Sequence, residues 1–252
     1  MPGMGRCTTT RQASRSGKAV AHLAAILIGL LTVFVASAAP AGRQHNLKAT
    51  TSHTVVRSNA EMIGEAEQRL SDLGYWTDSR DGVFSSQDRQ ALIAFQKVQG
   101  RNGTGRLSIE EVKALRSAAR LKPLETGYPH VEVDLAKQVL YVVGADGQVS
   151  YILPVSTGSG KPFRIKGRRE VAVTPTGKFQ VYHKINGWRK SPLGLLYYPN
   201  YITGGIAIHG NPSVPSHPAS HGCIRIPMSA SVQFSKMTPI GTVVIVHKNG
   251  QY

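Results

Sequence analysis

Two histidines, a glycine and a cysteine fall within twelve residues of a cysteine-poor chain, in the segment SHPASHGCIRIP from Ser216 to Pro227. A thiol is a strong nucleophile only once ionised, and an imidazole within reach can take its proton and hold the thiolate as an ion pair. Transfer of an acyl group also needs hydrogen-bond donors aimed at the oxyanion that develops on the carbonyl. A tight turn with glycine immediately before cysteine can direct consecutive backbone N–H groups into one space. His221, Gly222 and Cys223 can therefore supply thiol and donors together, and either His209 or His221 could serve as base. His209 comes from outside the segment. In GGIAIHG the period-two alternation puts Ile206 and Ile208 on one strand face and Ala207 and His209 on the other.

Competing roles exist for the same residues. His217 sits among prolines and reads as a solvated loop residue. Ser220 reads as a turn and hydrogen-bonding residue, since the thiol is the better nucleophile at neutral pH. A zinc peptidase could use His209, His217 or His221 with Cys223 as ligands. It would also need a carboxylate base, and the chain holds no Asp or Glu after Glu170. We therefore expect neither metal nor cofactor. A wall-binding protein without activity would have no use for His209 and Cys223 together.

The elements that must position these residues are short strands. VEVDL, QVLYVV, VSYILPVST, GKFQVYH, GGIAIHG and GTVVIVH are rich in Val, Ile and Tyr and are separated by Gly, Asp and Pro turns. One helix, around MSASVQFSKM, interrupts them late, so a mostly β domain is predicted from residue 128 to 252. Upstream the period is helical. Ile63, Ala66, Leu70 and Leu73 recur at three- and four-residue steps before Gly74 stops the pattern. SQDRQALIAFQKVQ fits a second helix with Ser86 as N-cap and Leu92, Phe95 and Val98 inside. A third opens at SIEE, where Ser108 and Glu111 have capping-box spacing and Ile109, Val112 and Leu115 face inward.

The β domain resembles the L,D-transpeptidase catalytic domain, the YkuD-type family. The resemblance rests on Ile208-His209-Gly210, on Ser220-His221-Gly222-Cys223-Ile224-Arg225, and on the flanking VEVDLAKQVLYVV, PVSTG, TPTGKFQV and GTVVIV. It implies Cys223 as nucleophile and His209 as general base, with the Gly210 carbonyl orienting the imidazole. His221, Gly222 and Cys223 would give the oxyanion donors, and Arg225 and Ser220 would contact substrate. A guanidinium suits a stem-peptide carboxylate because it presents two parallel donors. The family often adds a tyrosine, for which Tyr197, Tyr198 and Tyr201 are all candidates, and Trp188 is either part of a lid or a loop anchor. The implied reaction cross-links peptidoglycan tetrapeptide stems through a thioester on Cys223, with carbapenems as covalent inhibitors. Water in place of the acceptor amine would make it an L,D-carboxypeptidase.

The helical segment is similar to a peptidoglycan-binding domain, on Leu70, Leu73, Gly74 and Tyr75, then Asp81, Gly82 and Phe84, then Ala91, Phe95 and Gln96. The expected fold class is thus two-domain: a small all-α three-helix module at 59–120, a linker at 121–127, and a β-sandwich catalytic domain at 128–252 with one short helix.

Charge and the amino-terminal residues bear on location. The chain has 30 Lys and Arg against 14 Asp and Glu, a formal +16. A basic stretch, the apolar run AVAHLAAILIGLLTVFVA and the small residues Ala36 to Ala38 describe a signal peptide at 1–38, followed by a tether at 39–58. An uncleaved membrane anchor is the alternative. Without the four basic residues of the signal, 26 basic against 14 acidic side chains remain, +12. An exported basic protein with this composition points to an anionic wall polymer as partner and away from nucleic acid. Cys223 is then the one thiol left, with no disulfide partner in the chain.

Overall fold

The structure, a computed structural model, describes residues 58–252; the expected signal peptide and all of the expected tether except Ser58 lie outside the described residues. Three helices come first: α1 (Asn59–Asp72), α2 (Ser86–Val98) and α3 (Ile109–Ser117). Each is capped by a serine. At α2 the cap is Ser85 and not Ser86, because the Ser85 hydroxyl accepts from the N–H of Gln87 and of Asp88 while Asp88 returns a bond to Ser85 N–H. At α3, Ser108 accepts from Glu111 N–H, yet the Glu111 side chain turns to Arg101 at 3.0 Å instead of completing the box. Ile109, expected inside, is 60% exposed; Val112 and Leu115 carry the buried face alone.

The strands follow: β1 (His130–Asp134), β2 (Val139–Val143), β3 (Val149–Pro154), β4 (Pro162–Ile165), β5 (Arg168–Val171), β6 (Gly177–Gln180), β7 (His183–Lys184), β8 (Trp188–Ser191), β9 (Gly194–Thr203), β10 (Ile206–Asn211) and β11 (Ile224–Pro227). After them come α4 (Met228–Met237) and β12 (Val243–His247). One sheet runs β3-β2-β1-β12-β6; the other runs β11-β10-β9-β7, with β8 also paired to β9. β4 and β5 form a separate two-stranded ribbon. Between the sheets, Val131, Val133, Leu140, Val142 and Leu153 meet Ile202, Ile208, Ile224, Ile226 and Phe234 of α4. That is the sandwich core.

The run Val139–Val143 is buried at every position because both of its faces are covered. Leu140 and Val142 point into the sandwich, while Val139 and Tyr141 join a second core with Leu70, Tyr75, Leu92 and Phe95 of the helical module. The helices therefore pack on the outer face of the first sheet. Tyr75 even bridges to Ile152 of β3.

Candidate active site

β10 and β11 lie side by side and parallel, with Ile208 opposite Ile224 and His209 opposite Arg225. Because side chains alternate across a strand, this register puts His209 and Arg225 on one face, and Cys223, one residue before β11, on that same face. The opposite face, Ile208, Ile224 and Ile226, is sunk in the sandwich core. The hydrophobic demand of the isoleucines thereby turns the chemistry-bearing residues outward together. His209, Ser220, His221, Gly222, Cys223 and Arg225 all line one open cleft of about 270 Å³. Its other wall is the β8–β9 hairpin, which contributes Ser191 and residues 193–196.

His209 is 4% exposed, and its Nδ1 lies 2.9 Å from the Gly210 carbonyl oxygen. A carbonyl only accepts, so Nδ1 carries the proton and Nε2 holds the lone pair. Burial pulls the imidazole pKa down to about 4; the Gly210 carbonyl opposes this and the Arg225 charge adds to it. The Gly210 position also needs a small residue, since a Cβ there would come within 2.9 Å of Ser231 Cβ on α4.

Cys223 is partly buried, and its Sγ lies 3.7 Å from the Gly205 carbonyl. Burial raises the thiol pKa, against smaller lowering effects from the Ala207 backbone and Arg225. Both shifts favour neutral forms. Burial thus works against the thiolate–imidazolium pair expected from the sequence.

The turn before Cys223 is held by hydroxyl groups. Ser220 Oγ donates to the Cys223 carbonyl at 2.6 Å and accepts from Gly222 N–H at 3.0 Å. Thr174 Oγ1 donates to the Gly222 carbonyl at 2.6 Å. The Ser220 hydroxyl thus serves the turn on both sides. Gly222 N–H is engaged by that hydroxyl, while the N–H groups of His221 and Cys223 have no hydrogen bond among the described residues. Because C=O and N–H of a trans peptide point in opposite directions, anchoring the Gly222 carbonyl on Thr174 aims the Cys223 N–H away from Thr174. Gly222 itself sits at φ +136°, where a Cβ would lie 3.0 Å from the Val173 carbonyl. Gly222→Ala is expected to cost about 1–3 kcal/mol of stability and to slow acylation of Cys223, checked by denaturant midpoint and by acylation rate on the folded fraction.

The other sequence candidates separate. His221 is exposed and its ring packs edge-on against Phe163 of β4 at 4.8 Å. Arg225 lines the cleft, and no carboxylate pairs with it among the described residues. His217 contributes its carbonyl, which accepts from Ser156 Oγ at 2.8 Å. None of Tyr197, Tyr198 and Tyr201 lines the cleft. Trp188 is 54% exposed and packs on Tyr197 at 4.8 Å, at the root of the β8–β9 hairpin. Sequence reasoning missed Thr174 as a holder of the turn. Its position inside TPTGKFQV was the available signal.

The chain is similar to known proteins in both of its parts. The family described as L,D-transpeptidase catalytic domain matches residues 128–246, and a peptidoglycan binding domain matches residues 59–115. The crystal structure of the L,D-transpeptidase (residues 123-326) from Xylanimonas cellulosilytica DSM 15894 is 39% identical, with TM-score 0.70, over 73% of this chain and 92% of that one. That of an L,D-transpeptidase (Yku) from Stackebrandtia nassauensis is 24% identical, with TM-score 0.43, over 76% and 94%. A curated relative, the localization factor PodJL of Caulobacter vibrioides, is 36% identical over 89 residues, 35% of this chain. The chain spans 8% of that relative's length.

Proposed function

This chain belongs to the L,D-transpeptidase family and carries an N-terminal peptidoglycan-binding domain, and from that premise we propose that it is an exported cysteine transpeptidase joining peptidoglycan stem peptides. The observation that carries the reading is one cleft face holding a thiol, a buried imidazole with Nδ1 on the Gly210 carbonyl, and a guanidinium with no carboxylate paired to it among the described residues.

In this reading the Cys223 sulfur attacks the carbonyl of the third residue of a tetrapeptide stem as His209 Nε2 takes the thiol proton. The oxyanion is met by the N–H groups of His221 and Cys223. Collapse breaks the peptide bond, His209 returns the proton to the departing D-alanine amine, and a thioester remains. An amine from a second stem then attacks the thioester, gives its proton to His209 and releases the thiol. No net oxidation occurs and no nucleotide is consumed, because the peptide bond broken balances the one formed. Arg225 faces a stem carboxylate. Carbapenems would acylate the same sulfur.

The test is incubation of the purified chain with disaccharide-tetrapeptide, followed by mass spectrometry. Dimers lighter than two tetrapeptide units by one D-alanine are expected. Tripeptide as the sole product would mean that water is the acceptor and would sink the transpeptidase reading in favour of an L,D-carboxypeptidase.

A further inference from the structure

The helical module reaches the catalytic domain through a buried amine. Lys97, in the last turn of α2, is 8% exposed, and its Nζ donates to the carbonyls of Gln138 and Val155, both at 3.0 Å. Those two carbonyls belong to the frame from which the nucleophile turn hangs. Val155 N–H donates to the same Gln138 carbonyl at 2.9 Å. Ser156 exchanges both backbone hydrogen bonds with Arg225, at 3.1 and 3.0 Å. The Thr157 carbonyl accepts from the N–H groups of Ala219 and Ser220 at 3.0 and 2.9 Å.

Gln138 closes the frame. Its Nε2 donates to Thr157 Oγ1 at 2.7 Å and its Oε1 accepts from Thr157 N–H at 3.0 Å. Hydrogen bonds thus run from Lys97 to Gln138, to Thr157, to Ser220, whose hydroxyl grips the Cys223 carbonyl. The module also runs close to this loop, where a Cβ on Gly103 would lie 3.0 Å from Ser216 Cβ.

Fixing a loop does not ordinarily take a lysine. Burial lowers the Lys97 pKa to about 7, and no charge partner offsets the desolvation. A methionine would fill the same space without that cost. What the amine adds is two donors for two carbonyls, and it keeps both when neutral.

We propose that Lys97 is a positioning residue for Cys223: by holding the carbonyls of Gln138 and Val155 it fixes the frame that carries residues 217–225, making the helical module part of the catalytic apparatus. The inference rests on Cys223 being the nucleophile, and its test separates the two claims. Wild type, Lys97→Met and Lys97→Arg are compared as full chains by amide hydrogen exchange and by carbapenem acylation. In Lys97→Met, exchange of the Ala219 and Ser220 amides is expected to quicken about tenfold or more with β12 unchanged. The saturated acylation rate is expected to fall about tenfold while the half-saturating concentration stays within about twofold. Lys97→Arg, which keeps donors for both carbonyls, should recover most of both.

A merely structural lysine would shift the melting temperature and leave the acylation rate of folded protein alone. Unchanged exchange, or faster exchange with a wild-type acylation rate, overturns the proposal. Should Lys97→Met fail to fold, Gln138→Met removes both side-chain bonds to Thr157 without altering α2; the same drop in rate supports the proposal, and a wild-type rate overturns it. If wild type itself is not acylated, the enzyme reading fails, and the exchange comparison alone decides whether Lys97 holds the turn.

Discussion

Replacing Cys223 with alanine is expected to remove cross-linking altogether, a loss on the order of 10⁶-fold where chemistry limits the rate, and to abolish the mass shift on carbapenem treatment. The loss should come without unfolding. Cys223 is only partly buried and lies outside both hydrophobic cores, so its truncation should change stability by about 0.5 kcal/mol or less. Thermal melting and acylation measured on the same samples would check both halves. Residual dimer formation near the wild-type rate would place the nucleophile elsewhere, and Ser220 is a poor substitute with its hydroxyl already donated to the Cys223 carbonyl.

His209→Gln is the second large effect, expected to slow acylation by about 10²–10⁴-fold as a general base is lost, and it also changes how stability depends on pH. Burial holds the imidazole pKa near 4 in the folded chain, against 6.5 for the free side chain. Between those values the unfolded chain binds a proton that the folded chain refuses. Stability contributed by neutral His209 is therefore full above pH 6.5 and falls as pH drops toward 4. A pKa lowered from 6.5 to about 4 corresponds to about 3 kcal/mol. Denaturant titrations at pH 7 and pH 4 should show wild type losing about that much more than His209→Gln. Lys97 does not contribute in this window, because its lowered pKa of about 7 places its own linkage between pH 10.5 and 7. The acid limb of the acylation rate should likewise lie near pH 4 and not near 6.5. A wild-type limb at 6.5 would mean that His209 is more solvated than its 4% exposure indicates.

Much of the site was legible because its signals are local. His-Gly at a strand end and Ser-His-Gly-Cys before the next strand are contiguous in the chain, and the period-two alternation of GGIAIHG placed His209 opposite Ile208, although Ile206, beyond a register shift, lines the cleft as well. What escaped notice was either irregular or exposed. β9 contains Pro199 and a left-handed Tyr198, and its register with β10 shifts twice. β5 is exposed at every position, so it carries no apolar alternation to detect. Thr174, Thr157 and Gln138 are ordinary polar residues, and their importance comes from partners 48 and 19 positions away.

Sequence alone determined the fold class, the helical and strand periods, and the residue types able to perform acyl transfer, because these depend on neighbours within a few positions. Tertiary structure decided the rest. It settled which N–H groups stay free at the turn, since Ser220 and Gly222 satisfy one another only once the turn closes. It shifted His209 and Cys223 toward their neutral forms, since desolvation arises from chain segments far apart in sequence. It also put Lys97 against the carbonyls of Gln138 and Val155, in the frame that carries the Cys223 turn. The cue was the unbroken apolar run of β2, and a strand covered on both faces needs a second layer, here the helical module.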